Sequence, residues 1–262
     1  MQTVGGVLFD IDGVLVTSWE PIEGAAETLK LLDQRSIART FLTNTTSRTR
    51  TQIADALTDV GMPARPDEVL TAGALTAEYV RSRYPGARCF LLNSGDVTED
   101  MPEIDFVDDD PEVIVLGGAG EEFTHLALSR IYEWMTQGVP VVAMHRSTTW
   151  STNDGLRIDT GMYLSGMEEA SGTTATAVGK PAPAGFRAAA ERMGVDPEDV
   201  VMVGDDLHND VLAAQVVGMT GVLVKTGKFR EDVLERWARD EFAMQPDHVI
   251  DTIADLPGVL GI

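Results

Sequence analysis

The sequence predicts an α/β fold built as two units, and three features carry that expectation. Short apolar runs alternate with stretches of helical spacing along most of the 262 residues, the pattern of strands joined by helices into a sheet. Several of the apolar runs end abruptly in acids or hydroxyls, and in an open α/β sheet the crevice beyond the C-terminal strand ends is where ligands bind. The alternation then restarts between residues 75 and 178, which makes that segment a second α/β unit rather than a linker. No internal repeat or low-complexity segment interrupts the pattern.

The first element is the stretch Val7-Leu8-Phe9-Asp10-Ile11-Asp12-Gly13-Val14-Leu15. It reads as a buried strand opening into a loop, with Asp10 at its C-terminal end. If the extended conformation continues, Asp10 and Asp12 project to one side; taken alone, the same residues read equally as an Asp-Gly turn. Residues 21–34 have helical spacing through Ile22, Ala25, Ala26, Leu29 and Leu32, and 38–42 form the next strand. That strand ends in Thr43-Asn44-Thr45-Thr46-Ser47, ahead of a helix over 51–60 that Gly61 closes. Helix capping explains one hydroxyl there; five polar residues in a row at a helix start suit a phosphate.

In the second unit, 75–83 reads as a helix, 89–93 as a strand and 105–111 as an acidic turn. Strand 113–116 runs into Gly117-Gly118, followed by an amphipathic helix over 123–137 and a strand over 139–144. Gly179-Lys180-Pro181 then precedes a helix over 184–193, and its glycine and proline fix the backbone that aims Lys180. Strand 200–203 ends in Gly204-Asp205-Asp206-Leu207-His208-Asn209-Asp210, and strand 221–224 in Lys225-Thr226-Gly227-Lys228. A helix and a short strand near 248–250 complete the chain.

Composition narrows the functions. Forty-two acidic and 20 basic residues give a formal charge of -22, which disfavours binding to nucleic acid through a general basic surface. The single Cys89 allows neither an intramolecular disulfide nor a cysteine zinc cluster. With no secretory pattern at the start and no apolar run long enough to span a bilayer, the expectation is a cytoplasmic protein with no membrane partner. Convergence of Asp10, Asp12, Asp205, Asp206 and Asp210 would be costly, since one ionised pair about 4 Å apart repels by roughly 4 kcal/mol at an effective dielectric near 20. A divalent cation resolves the conflict, and oxygen-only ligands favour Mg2+ over zinc.

Phe-Asp-Ile-Asp-Gly-Val-Leu at 9–15, Thr-Asn at 43–44, Gly-Lys-Pro at 179–181 and Gly-Asp-Asp with Asp210 together resemble the four ordered motifs of the haloacid dehalogenase (HAD) superfamily. The hundred or so residues between the second and third motifs resemble the large α/β cap of its class II branch. Within that branch, 43–47, Asp154-Gly155-Leu156 and Val224-Lys225-Thr226-Gly227-Lys228 are most similar to the phospholysine/phosphohistidine/inorganic pyrophosphate phosphatase group and its HDHD-type relatives. NagD-type phosphatases are related, but Thr45-Thr46 departs from the Asn-Asn-Ser run usual there. The resemblance implies a Rossmann-like parallel-sheet core over 1–73 and 178–262, with an inserted smaller cap domain over 74–177 that sets substrate specificity.

It also implies roles. Asp10 would be the nucleophile that forms an aspartyl-phosphate, and Asp12 the general acid and then base. Thr43 and Asn44 would hold the phosphoryl oxygens, and Lys180 would balance charge. Mg2+ would be ligated by Asp10, Asp205 and the Asp12 carbonyl, with Asp206 and Asp210 supporting from behind. In the cap, His145, Arg146 and Trp150 would meet the leaving group of a small-molecule phosphate substrate, and a homodimer through the cap is the candidate assembly. From the residues alone, Asp206 and Asp210 read also as helix N-terminal acids, His208 as a solvated neighbour, and Lys225 and Lys228 as strand-end and turn residues. The alternatives to a hydrolase are a phosphotransferase or mutase using the same intermediate, and a non-catalytic phosphate-binding or signalling module. Dehalogenation is disfavoured by Asp12.

Overall fold

The computed structural model describes residues 4–152, 155–239 and 244–262. The chain divides into two compact units. The first comprises Met1–Thr43, Thr51–Leu70 and Lys180–Ile262; the second comprises Asn44–Arg50 and Thr71–Gly179. Both are α/β, and each has its own parallel sheet.

The six strands of the first unit lie in the order His248–Ile250, Thr220–Val224, Val200–Gly204, Gly6–Phe9, Ala38–Thr43 and Val69–Thr71. Pairings from His248–Ile250 through Ala38–Thr43 are all parallel. Gly6–Phe9 is buried along its whole length, as expected of a strand with parallel neighbours on both sides and helices on both faces. Its register partner across the sheet for Phe9 is Phe41, and the two rings stand 6.2 Å apart in the main core. Each fully buried side chain of this size contributes roughly 1.5–3 kcal/mol through burial.

The register places the strand ends level. Phe9 is opposite Val203 on one side and Phe41 on the other, so Asp10, Thr43 and Asp205 all follow at the C-terminal edge. Extended backbone does not continue through Asp12. The amides of Val14, Leu15 and Val16 turn back onto the Ile11 carbonyl, and Ile11 is buried while Asp12 is half-buried. That turn leads into a small hairpin, Val16–Thr17 with Glu20–Pro21, which is why the first helix starts at Ala25 and not at 21.

The second unit has a five-stranded sheet in the order Thr176–Ala177, Val141–Ala143, Val113–Leu116, Arg88–Leu92 and Asp105–Phe106, parallel throughout. Residues 105–106, expected in a turn, pair as an edge strand instead. Helices Ala72–Arg83, His125–Thr136 and Thr160–Ser171 belong to the same unit, and residues of the latter two pack into its core with Leu92, Ile114 and Leu116. An antiparallel hairpin, Thr149–Thr152 with Gly155–Ile158, is set apart from the sheet. Asp154 lies outside the described residues. No helix among the described residues is long and apolar enough to cross a membrane.

Candidate active site

Asp10 follows the central strand directly, and its amide bonds to the Val203 carbonyl at 2.9 Å, so the neighbouring strand fixes its backbone. The residue is 4% exposed. Lys180, equally buried, reaches it from the loop before the helix Pro183–Met193, with Nζ 2.6 Å from Asp10 Oδ1 and 2.7 Å from Asp210 Oδ1. Burial acts against the ammonium, but the two carboxylates outweigh it and hold its pKa above the ordinary lysine range.

Asp205 and Asp210 come from the segment after strand Val200–Gly204. A π-type turn over Leu207–Leu212 widens the chain there, a device that recurs at functional sites. It brings Asp210 back so that Oδ2 accepts from the Asp206 amide at 3.1 Å. One carboxylate oxygen each from Asp10, Asp205 and Asp210 lie within 4.8 Å of one another, all three residues buried. Asp205 Oδ1 is buried with no hydrogen-bond partner.

Electrostatics follow from that crowding. Burial, then repulsion from Asp10 and Asp210, pushes Asp205 up to about 8. Burial likewise raises Asp210 to about 7: Lys180 opposes the shift while Asp10 and Asp206 add to it. Three buried carboxylates share the Lys180 and Lys228 ammoniums and remain short of positive charge, and an orphaned buried oxygen faces no donor. This donor set fits a hard divalent cation.

Asp206 is placed differently from its neighbours. Its side chain caps the turn, accepting from the amides of His208 and Asn209 at 3.0 Å and from Asn209 Nδ2 at 2.7 Å. Those hydrogen bonds hold its pKa below the usual carboxylate range despite burial. Thr43 is buried at the end of its strand, and Asn44, the next residue, belongs to the second unit. His208 stacks edge-on against Trp237 at 4.6 Å.

The residues expected to read the substrate differ in exposure and in partners. His145 is 3% exposed and stands 4.0 Å from Asp159. Arg146 makes a two-pronged pair with Glu168, at 2.9 and 2.5 Å, and also donates to the Ala175 carbonyl. Trp150 is 44% exposed on the hairpin. Sequence reasoning also missed a contributor, the loop at 226–228. The Lys228 amide donates to Asp205 Oδ2 at 2.6 Å, and its ammonium is held above the ordinary range, since Asp10, Asp205 and Asp210 outweigh the effect of desolvation. Only the glycine between two polar residues hinted at so close an approach.

Comparison with known proteins identifies the family. A family model described as haloacid dehalogenase-like hydrolase matches residues 7–107, and a second HAD-hydrolase-like model matches 177–256. The human haloacid dehalogenase-like hydrolase domain-containing protein 2 is 35% identical over 229 residues, 87% of each chain. The phospholysine phosphohistidine inorganic pyrophosphate phosphatase of Danio rerio is 33% identical over 237 residues, covering 88% of this chain and 86% of its own. Among solved structures, a p-nitrophenyl phosphatase from Archaeoglobus fulgidus superposes with a TM-score of 0.89 at 27% identity, over 97% of this chain and 98% of that one. The chain belongs to the haloacid dehalogenase-like hydrolases and is a phosphatase-type enzyme of that family.

Proposed function

We propose that this phosphatase hydrolyses small phosphorylated metabolites with magnesium as its divalent cation and an aspartyl-phosphate on Asp10 as its intermediate. The observation that carries the reading is the buried Asp10, paired with Lys180 and flanked by Asp205 and Asp210 at the C-terminal edge of the central strand.

The Lys180 ammonium, 2.6 Å from Asp10 Oδ1, offsets the negative charge there, so a phosphate dianion can approach. An oxygen of Asp10 bonds to phosphorus as the ester P–O bond breaks, and Asp12 gives its proton to the departing oxygen. Asp12 then takes a proton from the water that attacks the aspartyl-phosphate, which frees phosphate and restores Asp10. Half-buried in its turn, Asp12 stays within reach of solvent for that second step. The Thr43 hydroxyl and the Asn44 amide hold phosphoryl oxygens. Carboxylates of Asp10 and Asp205, with the Asp12 carbonyl, would hold the cation, and Asp210 supports them through Lys180 and the Asp206 amide. When bound, magnesium supplies the positive charge that the three acids lack and stabilises charge on the transferring phosphoryl group. Substrate discrimination falls to the second unit, where Trp150 is an exposed aromatic on the hairpin.

Release of inorganic phosphate from a panel of esters, with magnesium or with EDTA, tests the reading beside Asp10→Asn. Magnesium-dependent release that falls by at least about 10³-fold in the variant is expected. Folded wild-type protein that releases phosphate from no ester refutes it.

A further inference from the structure

The loop after strand Thr220–Val224 has no part in the steps above, yet it grips one of the proposed cation ligands. Asp205 is 1% exposed. Its Oδ2 accepts from the Lys228 amide at 2.6 Å and is boxed by two glycines, Gly13 and Gly227. A Cβ on either would lie 2.0 Å from that oxygen, well inside van der Waals contact, and both glycines have positive φ, at 87° and 55°. Thr226 Oγ1 donates to the Gly13 carbonyl, tying the loop to the turn that follows Asp10. The other oxygen, Oδ1, is buried and has no hydrogen-bond partner.

A buried carboxylate beside two others would lower its energy by rotating away from them or by taking a proton. Here rotation is blocked, because one oxygen is fixed by an amide and by two backbones with no room to spare. We propose that residues 226–228 are a positioning clamp for Asp205, which locks Oδ2 so that Oδ1 is the oxygen presented to the divalent cation. The inference rests on the cation-dependent reading above and extends the site to a loop outside the four motifs. Thr226 and Gly227 never touch the cation themselves; they act through Asp205, as supporting partners of metal ligands do.

Calorimetric titration of magnesium into the full chain, without substrate, tests the clamp on wild type, Gly227→Ala, Thr226→Val and Thr226→Ser. Gly227→Ala is expected to bind magnesium about 10- to 100-fold more weakly. Thr226→Val is expected to weaken binding by about 10-fold, and Thr226→Ser, which keeps the hydroxyl, to restore it to within about twofold of wild type. The magnesium concentration giving half-maximal ester hydrolysis should rise in step. A general loss of packing would not be rescued by serine, and if Gly227→Ala does not fold, the two Thr226 variants decide. Wild-type affinity in both Gly227→Ala and Thr226→Val overturns the clamp while leaving the cation reading intact. Failure of wild type to bind magnesium overturns that reading and the clamp with it.

Discussion

Replacing Lys180 with methionine removes the one ammonium that bridges two buried carboxylates while keeping most of the side-chain volume. At 2.6 and 2.7 Å from Asp10 and Asp210, each attraction amounts to about 6 kcal/mol at an effective dielectric of 20. Returning the ammonium to water offsets several kcal/mol of that, and breaking a buried pair typically costs about 3–5 kcal/mol in total. In a protein of this size such a loss lowers the melting temperature by roughly 6–20 °C. The assay is thermal unfolding in EDTA, repeated with saturating magnesium, which should recover part of the loss by supplying the missing charge. Ester hydrolysis should fall by at least about 10³-fold. A melting temperature in EDTA within about 2 °C of wild type, well below the shift worked out above, would refute the argument that Lys180 balances the acids.

Two further outcomes follow from the geometry. In the cation-free protein, Asp205 and Asp210 titrate near 8 and 7 in the fold against an ordinary value of 3.8. Between those limits the folded chain holds more protons than the unfolded one, so this contribution is full below about pH 4 and is lost as pH rises towards 8. Urea midpoints in EDTA should therefore be lower at pH 8.5 than at pH 5.5, with magnesium shrinking the difference; a higher midpoint at pH 8.5 contradicts the assignment. Arg146→Ala should lower stability by about 0.2–1 kcal/mol by removing a partly exposed ion pair from Glu168, which still accepts from the Ala175 amide, measured by urea unfolding, and an unchanged midpoint would show that the pair contributes nothing.

The sequence made some parts of this protein legible and hid others for physical reasons. Apolar strands 7–9, 113–116 and 200–203 declared themselves because parallel strands are buried on both faces. The acids and lysine at their ends pointed to the site because nothing in a core accounts for them. Strand Val69–Thr71 and edge strand Asp105–Phe106 are too short to show a period. Helix Thr160–Ser171 buries only Thr160, Gly161 and Leu164 and carries two glycines, so its pattern is faint. Within Gly204–Asp210 the sequence could not separate Asp206 from Asp210. That distinction depends on which acid caps the turn and which the π-type turn swings towards Lys180. The grip of the Lys228 amide on Asp205 is a backbone contact, so no side-chain pattern records it.

The central strand Gly6–Phe9 is hydrogen-bonded on one side to Ala38–Thr43 and on the other to Val200–Gly204. A ribosome therefore delivers one edge of that strand its partner early and the other only after the whole of Thr71–Gly179 has been made. The intervening segment has a core of its own. Until Val200–Gly204 arrives, Asp10 stands at the end of a half-paired strand with neither Asp205 nor Asp210 beside it. The charge crowding of the finished site therefore exists only once the chain has been made through Asp210.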